Sequence, residues 1–206
     1  MMNLKKYVVI NLSIAIILGF CAALIGFNNF TLKIHNFYSF QLDRYVKNYT
    51  IWAEWPVIIL GILLMIRFNW RKGLWFSLFF GIEALIVQFI KFQLNLPRPI
   101  EKFGTSIRQI DGEVLKHFQA FPSGHTSAAF FATGMILLSL PKHKFYNLTL
   151  FISIFTAFLI GYSRIYLGQH SIEDTIAGCI IANIFFYLAG ITYPIIEQKF
   201  NFKNPI

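Results

Sequence analysis

The sequence predicts an all-α fold, a six-transmembrane-helix bundle forming one integral membrane domain over residues 1–206. Three observations carry this. Charged residues are 13% of the chain against 56% hydrophobic, where a soluble domain averages about 25% charged; so few charges cannot cover a water-facing surface. Six apolar runs approach the roughly 20 residues that a helix needs to cross a bilayer. The polar residues that remain gather at the ends of those runs and in the loops between them.

The first run, 7–27, follows Lys5 and Lys6. It exceeds the ~7–15 residues of a secretory-signal core, and Asn28, Asn29 and Phe30 follow it where small cleavage-site residues would stand. It is expected to be a retained helix. The connection 28–50 carries Phe30, Phe37, Tyr38, Phe40, Tyr45 and Tyr49, as suits a segment lying at the membrane interface. The second run is 51–67, with Glu54 near one end, and the third is 72–93, with Glu83 inside it. A second long connection, 94–123, leads to the fourth run, 124–140, which is among the shortest and is closed by Pro141 and Lys142. The fifth and sixth runs are 148–167 and 174–196. No repeat, low-complexity tract or linker marks a second domain. Cys21 and Cys179 both fall inside apolar runs and read as small buried residues rather than as a disulfide.

An even number of spans puts both termini on one side. Each side then carries nine lysines and arginines. Three of the outer nine, Lys91, Arg98 and Arg164, belong to the polar clusters described next, and setting them aside leaves the excess with the termini. The positive-inside rule then places both termini in the cytoplasm. The net charge of +9 is accounted for by these span ends and loops, which meet lipid headgroups or anionic substrates. No interleaved basic and aromatic patch is long enough for a nucleic-acid groove, so no nucleic-acid partner is expected.

Three polar clusters fall on one face of the membrane. Lys91 ends the third span and is followed by Arg98-Pro99; Pro122-Ser123-Gly124-His125 opens the fourth; Ser163-Arg164 through His170 to Asp174 joins the fifth to the sixth. Their chemistry suits phosphoryl transfer. Lys91, Arg98 and Arg164 supply cations for phosphate oxygens. Ser123-Gly124 at a helix start offers backbone N–H groups at the positive end of the helix dipole, and glycine allows close approach of a ligand. His170 and Asp174 are four apart, within reach on one helix face, so the carboxylate can orient the imidazole as a nucleophile. His125 then serves as general acid and base. Each residue also has a plainer reading: the cations as interfacial anchors, Ser123 as a helix cap, Glu83 as a structural hydrogen-bonding group about two turns deeper than Lys91. Glu54 is placed to touch the site or a headgroup. His35, His117 and His143 lie outside the clusters and are given no role.

Lys-x6-Arg-Pro over 91–99, Pro-Ser-Gly-His over 122–125 and Ser-Arg-x5-His-x3-Asp over 163–174 resemble, in order and without a missing position, the three signature motifs of the type-2 phosphatidic acid phosphatase superfamily. The soluble haloperoxidase and acid phosphatase relatives do not need six spans. The resemblance implies a six-helix core and metal-independent dephosphorylation of a membrane lipid through a phosphohistidine, with no cofactor. It implies His170 as nucleophile, His125 as acid and base, Asp174 as partner of His170, and Lys91, Arg98, Ser123, Gly124 and Arg164 as phosphate ligands. Lipid A and undecaprenyl pyrophosphate are the favoured substrates, with phosphatidylglycerol phosphate and phosphatidic acid beside them. The basic 94–123 loop, with Lys102, Arg108 and Lys116, suits a polyanionic headgroup. A bacterial inner membrane, with the site facing the periplasm, is the expected location. A phosphotransferase using the same phosphohistidine, and a non-catalytic anion or lipid transporter, stay open as alternatives.

Overall fold

A computed structural model describes residues 2–111, 113–140 and 145–199, with the side chains of 2–3 and 51–54 excepted. The stop at Pro141 and Lys142, His143, the basic residues Lys144 and Lys203, and the Glu54 side chain lie outside the described residues. The helices are α1 (Met2–Ile25), α2 (Phe27–Asn36), α3 (Phe40–Phe68), α4 (Trp70–Leu94), a short α5 (Pro99–Phe103) with a 3-10 turn (Gly104–Ser106), α6 (Gly124–Ser139), α7 (Tyr146–Tyr166) and α8 (Ile172–Lys199).

The sequence sets the joints. Gly26 at φ 88 breaks α1 from α2. Ser39 caps α3 by accepting the Leu42 N–H at 3.1 Å. Asn69 ends α3 and starts α4: its N–H reaches Met65 O at 3.0 Å and its side chain accepts from Lys72 N–H at 3.0 Å. Asn95, left-handed at φ 40, closes α4 through its N–H to Lys91 O. Acidic Glu173 and Asp174 occupy the first turn of α8, where the helix dipole favours them.

Two expectations change. The second span, 51–67, lies within a longer helix: α3 already begins at Phe40, so much of the interfacial connection 28–50 is helix. Its charged residues hid this, because an apolar-run criterion stops where Asp43, Arg44 and Lys47 enter. The fourth span is also different. Five described helices, α1, α3, α4, α7 and α8, are long and apolar enough to cross a membrane. With 16 residues, α6 rises about 24 Å, short of the ~30 Å hydrocarbon core. It sits at the centre, against α3, α4, α7 and α8, and is buried along most of its length.

An enclosed helix must satisfy its polar groups from its neighbours. Ser127 donates to Glu83 of α4, the structural bond expected of Glu83. Tyr7 of α1 donates to Phe130 O at 2.7 Å and lies 2.8 Å from Thr133 Oγ1. Edge-to-face contacts among Phe76, Phe131 and Phe186 fill the space between. Glycine permits two close approaches: a Cβ on Gly61 would stand 2.8 Å from Ala132 O, and one on Gly178 would stand 2.5 Å from Ser123 O.

Lys6 meets Asn147, Trp75 meets Thr192, and Tyr193 meets Asn69 at one end of the bundle. The three polar clusters lie at the other end. Gly178→Ala forces α8 off Ser123 and, as overpacking, should cost about 1–3 kcal/mol. Gly19→Ala, whose Cβ meets only Ile176 at 3.7 Å, should leave thermal unfolding in detergent unchanged. Equal melting of the two variants would contradict this packing.

Candidate active site

The connection after α4 doubles back on itself. Arg98 N–H donates to His117 O at 2.8 Å and Ala120 N–H to Leu96 O at 3.0 Å, so the returning segment 117–120 lies along 96–98. Gln119, at φ 61, turns its carbonyl into the same space. Lys91 Nζ therefore meets Gln119 O at 3.0 Å and Ala120 O at 3.5 Å. Arg98 gives Nε to Phe118 O at 3.0 Å and Nη2 to Gln119 O at 3.4 Å. Its Nη1 reaches Gln169 O at 3.1 Å and Gln169 Oε1 at 3.0 Å. The Gln169 amide in turn donates to Glu113 and to Val114 O.

The third cluster is anchored from below. Arg164 O, in the last turn of α7, accepts the N–H groups of Gln169 and His170. Gly168 makes the turn at φ 70. His170 is 1% exposed and stands in the loop before α8, not on a helix beside Asp174. Contact comes instead from Asp174 folding back over the start of α8, where Oδ2 accepts Ser171 N–H at 2.9 Å and lies 3.4 Å from His170 Nδ1. That separation is longer than an ordinary hydrogen bond. Burial pushes His170 down to about 3, against the pull of Asp174 and with Arg98 and Lys91 adding repulsion. The ring is thus neutral at neutral pH, and a hydrogen directed at Asp174 leaves the lone pair on Nε2.

All eight residues singled out by the sequence sit at this end of the bundle. Ser123 caps α6, its N–H donates to Asp174 O at 2.9 Å, and its Oγ accepts from Thr126 Oγ1 at 2.9 Å. Gly124 opens α6, and a Cβ there would meet only Val87 and Lys91 at 3.6–3.8 Å. His125 follows in the same turn, half-buried. Lys91, Arg98 and Arg164 are 8%, 6% and 7% exposed and lie within electrostatic reach of one another, with Lys91 and Arg98 also in reach of Asp174. Lys116 is close enough to act on Lys91, and Lys102 on Asp174. Arg108 departs from the expected headgroup role: its guanidinium is held bidentately by Asp43 at 2.5 and 2.9 Å and lies over the Tyr38 ring. Among the described residues no three His, Cys, Asp or Glu side chains gather as a metal site.

Sequence reasoning missed the brace around His170. Thr31 and His35 are four apart on one face of α2, both fully buried. Thr31 Oγ1 accepts Ile172 N–H at 3.1 Å, and His35 Nδ1 donates to Tyr166 O at 2.8 Å. The loop bearing His170 is thus gripped at both ends. His35 Nε2 also accepts Arg108 N–H at 2.8 Å, which only a neutral imidazole can do. Gln169 was missed too; its place beside His170, facing a buried arginine, was the available signal.

Burial also holds His35 below the ordinary histidine value. For both histidines the unfolded chain takes up protons first as pH falls. Their stabilising contribution is complete above about 6.5 and declines below it, by up to about 1.4 kcal/mol per pH unit for each ring. Thermal unfolding in detergent should therefore move to lower temperature from pH 7 toward pH 4.5. His35→Gln should flatten that dependence; an unchanged slope would remove His35 from the explanation.

Over 140 residues the chain is 29% identical to phosphatidylglycerophosphatase B of Bacillus subtilis (strain 168), covering 64% of this chain and 63% of that relative, less than two thirds of its length. The crystal structure of Aquifex aeolicus LpxE superposes with a TM-score of 0.63 at 26% identity, covering 79% of this chain and 93% of that one. The crystal structure of a transmembrane PAP2-type phosphatidylglycerolphosphate phosphatase from Bacillus subtilis matches at a TM-score of 0.67 and 22% identity over 95% of this chain and 98% of that one, a likeness of fold. The sequence profile of the PAP2 superfamily matches residues 72–198, which contain all eight site residues. By that match, and by the order of its three motifs, the chain belongs to the PAP2 superfamily.

Proposed function

We propose that this chain is a single-domain membrane lipid phosphatase that works through phospho-His170 without a metal. The observation that carries the reading is a trio of buried cations, Lys91, Arg98 and Arg164, converging with a buried neutral histidine at the capped start of α6. Buried positive charge gathered in this way suits a bound anion, and a phosphate is the anion this arrangement fits.

The reaction runs as two displacements. His170 Nε2 attacks phosphorus, forming the N–P bond as the bond to the lipid oxygen breaks, and His125 gives that oxygen its proton. Asp174 holds the imidazolium so formed. Water then attacks phosphorus, His125 takes its proton, and the N–P bond breaks to release phosphate. The cations and the N–H groups at the start of α6 bear the charge on the equatorial oxygens throughout.

The relatives named above support a lipid phosphate, with phosphatidylglycerol phosphate ahead of lipid A, undecaprenyl pyrophosphate and phosphatidic acid. Lys102 and Lys116 beside the site suit a headgroup with more than one negative charge. In the membrane, α6 counts as the sixth crossing, sheathed by protein. Both termini are cytoplasmic in a bacterial inner membrane, with the site on the outer side.

Detergent-purified protein should release phosphate from one of these lipids in excess EDTA. His170→Ala should lose both turnover and radiophosphate labelling of the protein, and Arg164→Ala should lower kcat about 10²–10³-fold. Labelling that persists in the His170 variant would sink the nucleophile assignment, and a strict metal requirement would sink the metal-free route. Orientation has its own check. In a background with Cys21 and Cys179 replaced by serine, an impermeant thiol reagent on spheroplasts should label Lys116→Cys and spare Lys6→Cys; the opposite pattern inverts the topology.

A further inference from the structure

Two arginines at the site end of the bundle are held in opposite ways. Arg108 is paired bidentately with the Asp43 carboxylate, and its charge is spent there. Arg98 is held by neutral oxygens at 3.0–3.4 Å: Phe118 O, Gln119 O, Gln169 O and Gln169 Oε1. Dipoles of this kind fix a guanidinium without cancelling its charge, which stays available to an anion. Three of these oxygens belong to the backbone. The fourth is the side chain of Gln169, the one place in the set where an acid could have stood.

The surroundings of position 169 call for an amide. Gln169 is 3% exposed, so its polar atoms need partners within the protein. Arg98 can only donate, whereas the Glu113 carboxylate and Val114 O can only accept. Oε1 accordingly faces Arg98 at 3.0 Å, and Nε2 gives its hydrogens to Glu113 at 2.7 Å and Val114 O at 2.9 Å. A carboxylate here would neutralise Arg98 and set a second negative oxygen against Glu113; an apolar side chain would leave both sides unserved. The amide also keeps the Glu113 carboxylate off the arginine while using it as an anchor. Through Nε2 it fastens the connection that follows α5, which is held as well at Arg108 by His35 and Asp43.

We infer that Gln169 is a positioning residue, a neutral coupling that orients the Arg98 guanidinium and ties it to Glu113 and Val114 while leaving its charge free for substrate phosphate. The assignment rests on the reading of Arg98 as a phosphate ligand in a lipid phosphatase.

The test compares detergent-purified wild type with Gln169→Glu and with the exchange Glu113→Gln/Gln169→Glu. The exchange returns a donor to the contact between 113 and 169 but leaves a carboxylate on Arg98. It should therefore melt above Gln169→Glu, yet kcat/KM for a lipid phosphate should stand about tenfold or more below wild type in both. Thermal stabilisation by inorganic phosphate, present in the wild type, should be lost in both. Recovery of kcat/KM along with stability in the exchange would reduce Gln169 to a packing contact and overturn the inference, as would wild-type kcat/KM in Gln169→Glu. An exchange no more stable than Gln169→Glu would overturn the contact geometry beneath it. Should Gln169→Glu fail to fold, the exchange alone decides. Undiminished phosphate release by the exchange removes the role of Gln169 and leaves the phosphatase. Phosphate stabilisation lost in both variants, with no release from any lipid by the wild type, removes the phosphatase and leaves the role of Gln169. A wild-type chain that neither releases phosphate nor is stabilised by it overturns both.

Discussion

Three positive side chains are buried within one end of an apolar bundle, and water cannot solvate them there. Much of the surrounding structure supplies substitutes. The connection 94–123 is long because it must go out and return, pairing 117–120 with 96–98 so that three consecutive carbonyls face Lys91 and Arg98. Gln169 spends its carbonyl and its side-chain oxygen on the same arginine, and is itself fixed by Glu113 and Val114. These fixed dipoles hold Lys91 and Arg98 in place, so the proposed anion would meet cations that are already oriented.

Central burial of α6 follows from the same demand. Its first turn must present Ser123, Gly124 and His125 beside cations from α4 and α7, so it has to run between those helices. A short helix suffices because its polar side chains find partners on α1 and α4 rather than in lipid. Length and hydropathy, the criteria by which the other crossings are recognised, therefore describe α6 least well.

The clusters were legible because each is a short run, Lys91 to Pro99, Pro122 to His125, Ser163 to Asp174, whose residues share one place by simple alternation of the spans. What was not legible depends on pairs far apart in sequence. Nothing near Arg108 shows that Asp43 neutralises it, and nothing near His35 shows that it holds Tyr166. The start of α3 was hidden because helix continues through charged residues wherever other protein or the interface accommodates them. The i, i+4 spacing of His170 and Asp174 predicted the right contact for the wrong geometry: the carboxylate reaches back across a helix start instead of along a helix face.

The PAP2 match begins at residue 72, yet the loop carrying His170 is gripped by Thr31 and His35, and the centre of α6 by Tyr7. The region of family likeness is thus smaller than the cooperative unit. Excised at its sequence boundary, the 72–198 portion would carry all eight residues of the proposed site and still lack the scaffold that sets them. Conversely, the amino-terminal helices are a place where members of such a family can retune a shared site from outside it, by altering the brace and leaving the chemistry untouched.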